Sequence, residues 1–239
     1  WLDIPIDIQG TTILNANKLK IFKSKKINKL NLKKSELIKI SKMIEESKRP
    51  VFWFGNGIKL SKSKMTVEKV LKKYPFPSFV SWAAIDLLKS NHHLNYGRPG
   101  VYGNRASNFI LQNADLIISV GTRMSIPMIG YVHNEFARNA KIIQVDIDKT
   151  EINKLKKKTN LAINNDANIF LNNILAAISN NINKKSLNHW LYYCKNTLKK
   201  YPHIELKAHS DKNGFINSYK FLDKFSNYFR KNECIVTDM

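Results

Sequence analysis

Val51-Phe52-Trp53-Phe54-Gly55-Asn56-Gly57 is the stretch that decides the fold, because an apolar run without polar alternation ends on two glycines. Strands that are buried on both faces of a parallel sheet have such runs, and glycine permits a sharp turn directly after them. The pattern returns in Leu116-Ile117-Ile118-Ser119-Val120-Gly121. Two such units indicate a parallel sheet whose strands are joined by helices.

Helical and strand patterns alternate outward from these two units. The first predicted helix has Ser35 as its N-cap and ends at Arg49-Pro50, and Thr150 is predicted to cap a later one. Further helices are predicted over 65–74, 105–112 and 167–182, and further strands over 76–80, 141–145 and 161–163. The alternation predicts an α/β fold with a doubly wound, mostly parallel Rossmann-like sheet. A helical linker over 183–213 and an amphipathic helix over 215–229 are predicted to follow.

Both ends of the sequence have the pattern of strands. Residues 1–8 alternate like a strand, and residues 234–239 form an apolar strand that has only begun. Between the first strand and the first helix, residues 10–34 are polar and rich in lysine, which is typical of a linker. We therefore expect the sequence to be part of a longer polypeptide.

The composition excludes several classes of protein. The 239 residues are 43% hydrophobic, which is enough to bury a core and argues against disorder. No apolar run approaches the roughly 18 residues that a membrane helix needs. The two cysteines, Cys194 and Cys234, match no metal or redox spacing, so we expect a cytoplasmic protein with reduced thiols.

The formal charge of +22 would by itself indicate a nucleic-acid partner. However, the excess is almost entirely lysine that is scattered over the whole length, with only six arginines. Arginine is the residue that phosphate and base recognition favours. We interpret the charge as compositional and predict neither a nucleic-acid nor a membrane partner.

Three glycine turns are candidates for a ligand site at the carboxyl ends of the strands. They are Gly55-Asn56-Gly57, the series from Gly97 to Gly103, and Gly121-Thr122-Arg123. Each alone is consistent with an ordinary turn, but three in one sheet indicate a nucleotide-like ligand. Asp146 and Asp148, at the exit of another strand, are equally consistent with ribose or adenine contacts and with helix entry.

Other chemistry finds little support in the sequence. His92-His93 lies in a polar loop without a matching acid or cysteine pair, which indicates a surface loop rather than a metal site. The sequence has no catalytic triad order, no paired-carboxylate motif and no Walker loop. The pattern alone therefore predicts a nucleotide-binding domain without catalytic residues.

Four longer strings resemble one enzyme family. They are Trp82-Ala83-Ala84-Ile85-Asp86-Leu87-Leu88, Tyr96-Gly97-Arg98-Pro99-Gly100-Val101-Tyr102-Gly103-Asn104-Arg105-Ala106-Ser107-Asn108-Phe109, Leu111-Gln112-Asn113-Ala114-Asp115-Leu116-Ile117-Ile118-Ser119-Val120-Gly121-Thr122-Arg123, and Phe136-Ala137-Arg138-Asn139-Ala140-Lys141-Ile142-Ile143-Gln144-Val145-Asp146-Ile147-Asp148. Together they resemble the central domain of thiamine-diphosphate-dependent enzymes, and the last two are similar to the acetolactate synthase catalytic subunit.

The resemblance implies a domain division. It gives the end of a pyrimidine-binding domain in 1–12, a linker in 13–34, and the central domain in 35–182. It then gives a helical linker in 183–213 and the start of a diphosphate-binding domain in 214–239. By the same resemblance, thiamine diphosphate and Mg²⁺ bind outside this sequence, which then has no catalytic or metal-binding residue of its own.

The resemblance also implies a flavin-binding surface that holds FAD. Its positions are Gly55, Asn56, Gly57, Gly100, Val101, Tyr102, Gly103, Gly121, Thr122, Arg123, Asp146, Ile147, Asp166 and Ala167. Two departures stand out. Ser125-Ile126-Pro127 replaces the family's Asp-Asp-Arg, and Asn165 replaces a glycine before Asp166. Proline provides neither a charge nor an N–H, so Arg98 or Arg105 would have to replace the lost contact.

The activity that the resemblance implies is carboligation, in which pyruvate is decarboxylated and its two-carbon unit joins a second carbonyl compound. It further implies a 2-oxo acid substrate, a role in branched-chain amino acid biosynthesis and a homodimer or homotetramer. One alternative is a related decarboxylase or carboligase that acts on another 2-oxo acid or on a sugar ketone. A non-catalytic nucleotide-binding module and a basic nucleic-acid binder are the alternatives from other classes.

Overall fold

The computed structural model describes residues 3–21, 31–155, 158–179, 181–205, 208–230 and 232–236. Its strands are β1 (Pro50–Phe54), β2 (Ser78–Val80), β3 (Leu116–Val120), β4 (Lys141–Asp146) and β5 (Leu161–Asn164). Its α-helices are α1 (Ile6–Gln9), α2 (Lys34–Glu46), α3 (Gly57–Leu60), α4 (Lys64–Lys73), α5 (Arg105–Asn113), α6 (Ile126–Ile129), α7 (Lys149–Lys154), α8 (Ala167–Ala177), α9 (Lys184–Lys200) and α10 (Ser218–Ser226).

The five strands form one parallel sheet in the order β2-β1-β3-β4-β5. Every residue of β1 and β3 is buried, as the continuous apolar runs predict for strands covered on both faces. Pro50 pairs with Leu116 and Phe54 with Val120, so the two runs lie in register and end together. The predicted α/β, Rossmann-like fold is confirmed.

Two groups of helices cover the sheet. Helix α8 packs against α4 and α2, and α9 packs against α5. Helix α8 buries Phe170, Leu171 and Ile174, which recur at helical spacing. The core is built mainly from these helix faces and the apolar strand residues.

Helix α9 is part of the packed body, although the sequence suggested a linker there. Trp190 is buried and donates through Nε1 to the carbonyl oxygen of Pro50 at 3.0 Å. Cys194 is buried one turn later, and burial raises the pKa of its thiol. The helix therefore fixes the start of β1 from 140 residues away in sequence.

Several predicted boundaries are wrong. Residues 6–9 form a helix rather than a strand, and the N-cap of α2 is Lys33, two residues before the predicted cap Ser35. Asp148, not Thr150, caps α7 by accepting the Thr150 N–H. Helix α8 ends at Ala177, five residues before the predicted end. No strand lies in 232–236, and residues 1, 2 and 237–239 of the predicted terminal strands lie outside the described residues.

Helix α10 buries none of its residues, although its spacing is amphipathic as predicted. The rings of Phe221 and Phe225 stack with centroids 5.3 Å apart. Phe229, three residues beyond the helix, meets Phe225 edge to face at 4.8 Å. Within the described ranges, no helix is both long and apolar enough to cross a membrane.

Candidate functional site

Four strand exits meet at one edge of the sheet and enclose a cleft of about 500 Å³, here called the strand-end cleft. Parallel strands that lie side by side place their carboxyl ends together, which is where such sheets bind ligands. The predicted site residues that line the cleft are Asn56, Gly57, Gly121, Arg123, Asp146, Ile147, Asp166 and Ala167. Seven of them follow strands β1, β3, β4 or β5 directly or within a few residues, and Asp146 ends β4.

The glycines of this edge allow two turns to pack against each other. Gly57 donates its N–H to the carbonyl oxygen of Gly121 at 2.9 Å, and Gly121 has a φ of 60°. A Cβ on Gly55 would lie 2.1 Å from the same oxygen. Gly55 and Thr122 are buried behind the turns and do not line the cleft, in contrast to the prediction. These glycines are therefore required for contact between backbones, whatever the cleft binds.

Arg123 is held by Glu151 from the first turn of α7. Its Nε and Nη2 lie 3.0 and 2.9 Å from Glu151 Oε1, and Lys154 Nζ lies 2.7 Å from the same oxygen. Burial raises the pKa of Glu151, but the hydrogen bonds from Lys154 and Arg123 outweigh this and leave it below its usual range. Among the described residues, none donates to Glu151 Oε2, which is buried in the wall of the cleft.

The sheet positions Glu151 through its backbone. Gln144, buried in β4, donates through Nε2 to the carbonyl oxygen of Glu151 at 3.3 Å. Thr159 Oγ1 in turn donates to Gln144 Oε1 at 2.9 Å and fixes the orientation of the amide. A side chain of the strand therefore sets the distance between helix α7 and the cleft.

Asp146 ends β4 at the base of the cleft, with 9% of its surface exposed. Burial raises the pKa of Asp146, and Glu151 and Asp148 add to the effect through their negative charges. Its Oδ1 accepts from the Asp148 N–H at 2.9 Å. Asn164 donates to the carbonyl oxygens of Asp146 and Ile147 at 3.0 and 2.8 Å, which fixes the exit of the strand.

Carboxylates of the chain itself occupy the N-termini of α7 and α8 at the cleft. Asp166 Oδ1 accepts from the Asn168 and Ile169 N–H groups of α8 at 2.9 and 3.3 Å. Asp148 Oδ1 accepts from the Thr150 N–H of α7 at 2.8 Å. Helix N-termini bind phosphate through such N–H groups, and here those groups are already engaged.

The lining of the cleft fits one part of FAD and not another. Carboxylates of Asp146, Asp148, Glu151 and Asp166 face a single arginine, which is itself paired. Carboxylate oxygens accept hydrogen bonds from ribose hydroxyls and from the adenine amino group, but they repel a pyrophosphate. The residues present therefore fit a nucleoside and do not provide a pyrophosphate site.

The glycine loop from Gly100 to Gly103 does not line the strand-end cleft, in contrast to the prediction. Val101 donates its N–H to the carbonyl oxygen of Pro127 at 2.8 Å, so the loop is docked on α6. A Cβ on Gly100 would lie 2.8 Å from that oxygen. Val101 and Tyr102 are exposed, and the Tyr102 ring lies 5.6 Å from that of Trp82. Pro127 thus holds the loop through its carbonyl oxygen.

His92 and His93 form a stacked pair with ring centroids 4.7 Å apart. The Leu94 N–H donates to His92 Nδ1 at 3.2 Å, and burial lowers the pKa of this imidazole. Within the part of the chain that the structure describes, no three side chains of the metal-binding types come together. The hydrogen bonds of His92 thus help to fix this loop.

Sequence reasoning missed Glu151 as a residue of the cleft. An acidic residue in the first turn of a helix is explained by the helix dipole alone, and nothing local indicates burial. Its spacing of five residues from Asp146 would have placed it near the end of β4, if the start of α7 had been known.

Comparisons with known proteins agree on one family. A family profile described as thiamine pyrophosphate enzyme, central domain, matches residues 37–174. The acetolactate synthase isozyme 1 large subunit of Escherichia coli (strain K12) is 33% identical over 157 residues, which cover 66% of this chain and 27% of that protein. The acetolactate synthase large subunit of Cyanidium caldarium is 31% identical over 170 residues, 70% of this chain and 29% of that protein.

A third relative is matched over more of the chain. The acetolactate synthase isozyme 2 large subunit of Escherichia coli (strain K12) is 26% identical over 193 residues, 81% of this chain and 33% of that protein. The chain thus spans a third or less of the length of these relatives.

Proposed function

The chain belongs to the thiamine pyrophosphate enzyme family through its central domain, and from this premise we propose that it serves an acetolactate synthase-like carboligase. The supporting observation is the profile match over 37–174, which includes all five strands of the parallel sheet. The reaction decarboxylates pyruvate and joins its two-carbon unit to a second carbonyl compound. Thiamine diphosphate, when bound, supplies the carbanion chemistry of such reactions, while protein groups orient the reactants and exclude water.

The domain division that supports this proposal places the central domain in 35–182. Residues 1–12 then belong to a pyrimidine-binding domain and 214–239 to a diphosphate-binding domain. Thiamine diphosphate and Mg²⁺ are proposed to bind in those two domains, and no catalytic residue is assigned to this chain. A cytoplasmic homodimer or homotetramer in branched-chain amino acid biosynthesis is the corresponding biological setting.

The acceptor is the open part of the proposal. In the family that the chain resembles, acceptor choice is set largely outside this segment. A carboligase or decarboxylase that acts on another 2-oxo acid or on a sugar ketone is therefore the second candidate.

The activity is tested on the full-length product of the gene that encodes this chain. Purified protein is given thiamine diphosphate, Mg²⁺ and pyruvate, first alone and then with 2-oxobutyrate or a keto sugar as acceptor. Formation of acetolactate supports the first proposal, and a product only with the keto sugar supports the second. No release of CO₂ from any mixture would contradict both.

For the strand-end cleft, we propose an adenine-containing cofactor, with FAD as the one that the resemblance gives. Asp146 and Glu151 would accept hydrogen bonds from its ribose hydroxyls, and Ile147 offers an exposed apolar surface to the base. Because the lining repels a pyrophosphate, FAD should bind more weakly than an arginine-rich cleft would hold it. Titration with adenosine, ADP and FAD tests this. Adenosine should bind no more weakly than ADP, and a strong preference for ADP would contradict the assignment.

A further inference from the structure

A second pocket, of about 340 Å³, opens at the carboxyl end of β2 and is here called the Arg98 pocket. Its polar lining consists of Ser90, Asn95, Arg98, Asn104, His203 and Tyr219, with Val80, Ile85 and Ile204 as apolar walls. None of the described residues that line it is acidic. In this respect it is the opposite of the strand-end cleft, which four carboxylates line.

Arg98 is half-buried, and its guanidinium has neither an ion pair nor a hydrogen bond within the described ranges. A guanidinium carries five N–H donors in a planar fork that matches a carboxylate or a phosphate. The neighbouring Arg105 differs, because its Nη1 lies 2.8 and 2.9 Å from the two Glu205 oxygens and its guanidinium covers the Tyr201 ring. Of these two arginines, only Arg98 is available for a ligand.

The backbone of Arg98 is fixed on both sides by Asn104. The Arg98 N–H donates to Asn104 Oδ1 at 3.1 Å, and the Arg98 carbonyl oxygen accepts from the Asn104 N–H at 2.8 Å. The preceding Gly97 has a φ of 90°, and a Cβ there would lie 2.4 Å from Asn104 Oδ1. Gly97 is thus required for this contact. Because the contact uses Asn104 Oδ1, the amide nitrogen of Asn104 remains as another donor at the pocket.

His203 also lines the pocket and provides a further nitrogen donor. Partial desolvation lowers the pKa of His203, and the positive charge of Arg98 lowers it further. Arg98 therefore opposes protonation of His203, and none of the described lining residues is acidic to offset this effect. A bound anion would offset the charge of Arg98 and favour the protonated imidazole.

We propose that the Arg98 pocket binds the oxyanion group, carboxylate or phosphate, of a small-molecule ligand. The fork of Arg98 accounts for the charge, Asn104 and Ser90 for further hydrogen bonds, and the isoleucine walls for the carbon skeleton next to the anion. The site is separate from the strand-end cleft, and it does not depend on the proposed carboligase activity.

The test is a titration of the chain at constant ionic strength with inorganic phosphate, pyruvate or chloride. Binding is measured by calorimetry and by the NMR signal of the His203 imidazole, which is assigned through its loss in His203→Gln. Saturable binding of phosphate alone identifies a phosphoryl ligand, and saturable binding of pyruvate alone identifies a carboxylate. The proposal is overturned if neither anion produces a saturable shift.

Variants separate the pocket from general electrostatic attraction. Arg98→Gln should weaken binding at least about tenfold, the scale of one lost charged hydrogen bond. Arg98→Lys keeps the positive charge but lacks the planar guanidinium. Its affinity for the anion should lie between those of Arg98→Gln and the wild type. Arg138→Gln removes the same charge from an exposed pair with Glu135 and should leave the affinity unchanged. Equal losses in Arg98→Gln and Arg138→Gln, with both variants folded by circular dichroism, would overturn the assignment.

Discussion

Gly57 and Gly121 stand so close that a Cβ on either residue would lie 2.7 Å from the Cα of the other. This contact joins the exits of β1 and β3, and both glycines line the strand-end cleft. It leaves no room for a methyl group unless one of the two turns moves. The glycines that indicate a ligand site in the sequence are thus also required for the packing of the two turns.

Gly57→Ala should therefore destabilise the chain by about 1 to 3 kcal/mol, the usual cost of overpacking a tight contact. The comparison variant is Gly10→Ala, where an added Cβ would meet nothing closer than 3.9 Å. Urea unfolding followed by tryptophan fluorescence measures both. Equal midpoints for the two variants would show that the turns are not in close contact.

Glu151→Gln should lower the free energy of unfolding at neutral pH by about 1 kcal/mol, because the charged pairs with Arg123 and Lys154 are lost. The folded-state pKa of Glu151 is below its usual range, so its contribution is present above the unfolded pKa and is lost as the pH falls through the folded pKa. The difference in the free energy of unfolding between Glu151→Gln and wild type should therefore become smaller in acid. Glu135→Gln, in an exposed pair with Arg138, is the control and should change stability by less than about 0.5 kcal/mol. If the difference in the free energy of unfolding became larger in acid, the pKa of Glu151 would not be lowered by folding.

Asp146→Asn should stabilise the chain at neutral pH, whereas Glu151→Gln destabilises it. Burial raises the folded-state pKa of Asp146, so its ionised form destabilises the fold, and the cost appears as the pH rises through that pKa. Asparagine removes the charge and still accepts from the Asp148 N–H. We expect a higher urea midpoint than wild type at pH 7 and convergence of the two in acid. Asp223→Asn on the exposed helix α10 removes the same charge as a control, and a lower midpoint for Asp146→Asn alone would contradict the prediction.

The sequence predicts the strands better than the caps, for a physical reason. Burial on both faces forces the apolar runs of β1 and β3, so their bounds agree with the structure to within one residue. A cap depends on one hydrogen bond, so Ser35 and Lys33 at α2, and Thr150 and Asp148 at α7, could not be ranked without the backbone. The role of α9 depends on the contact of Trp190 with Pro50, which is remote in sequence.

The two arginines that could replace the family's lost charge illustrate the same limit. Arg98 and Arg105 look equivalent in the sequence, and both precede or begin helix α5. Only the structure brings Glu205 to Arg105, from 100 residues away, and leaves Arg98 unpaired. Residue types with charge can be identified from sequence, whereas their pairing is a property of the tertiary fold.

The chain alone should not form acetolactate from pyruvate, even with thiamine diphosphate and Mg²⁺ present. The proposed division places both cofactor-binding halves in domains of which this chain holds only short segments. A colorimetric assay beside a full-length acetolactate synthase measures the activity. Turnover above the uncatalysed background would contradict the division.

Duplex DNA should bind the chain weakly, despite the formal charge of +22. Contacts between scattered lysines and phosphates are electrostatic, and their affinity falls steeply as salt displaces them. Fluorescence anisotropy of two unrelated duplexes should give equal affinities that vanish at moderate salt. A complex that survives this salt and prefers one duplex would reverse our interpretation of the lysines.

Asp148 and Asp166 place a negative charge of the chain at the N-termini of α7 and α8 in the strand-end cleft. These two helices therefore carry their own counter-charges, and neither N-terminus depends on a bound anion for its stabilisation. Loading of the proposed cofactor would then be a late event in biogenesis, decoupled from maturation of the domain. A shortage of that cofactor would leave folded apoprotein rather than misassembled chains, so its supply would set occupancy without setting the abundance of the protein.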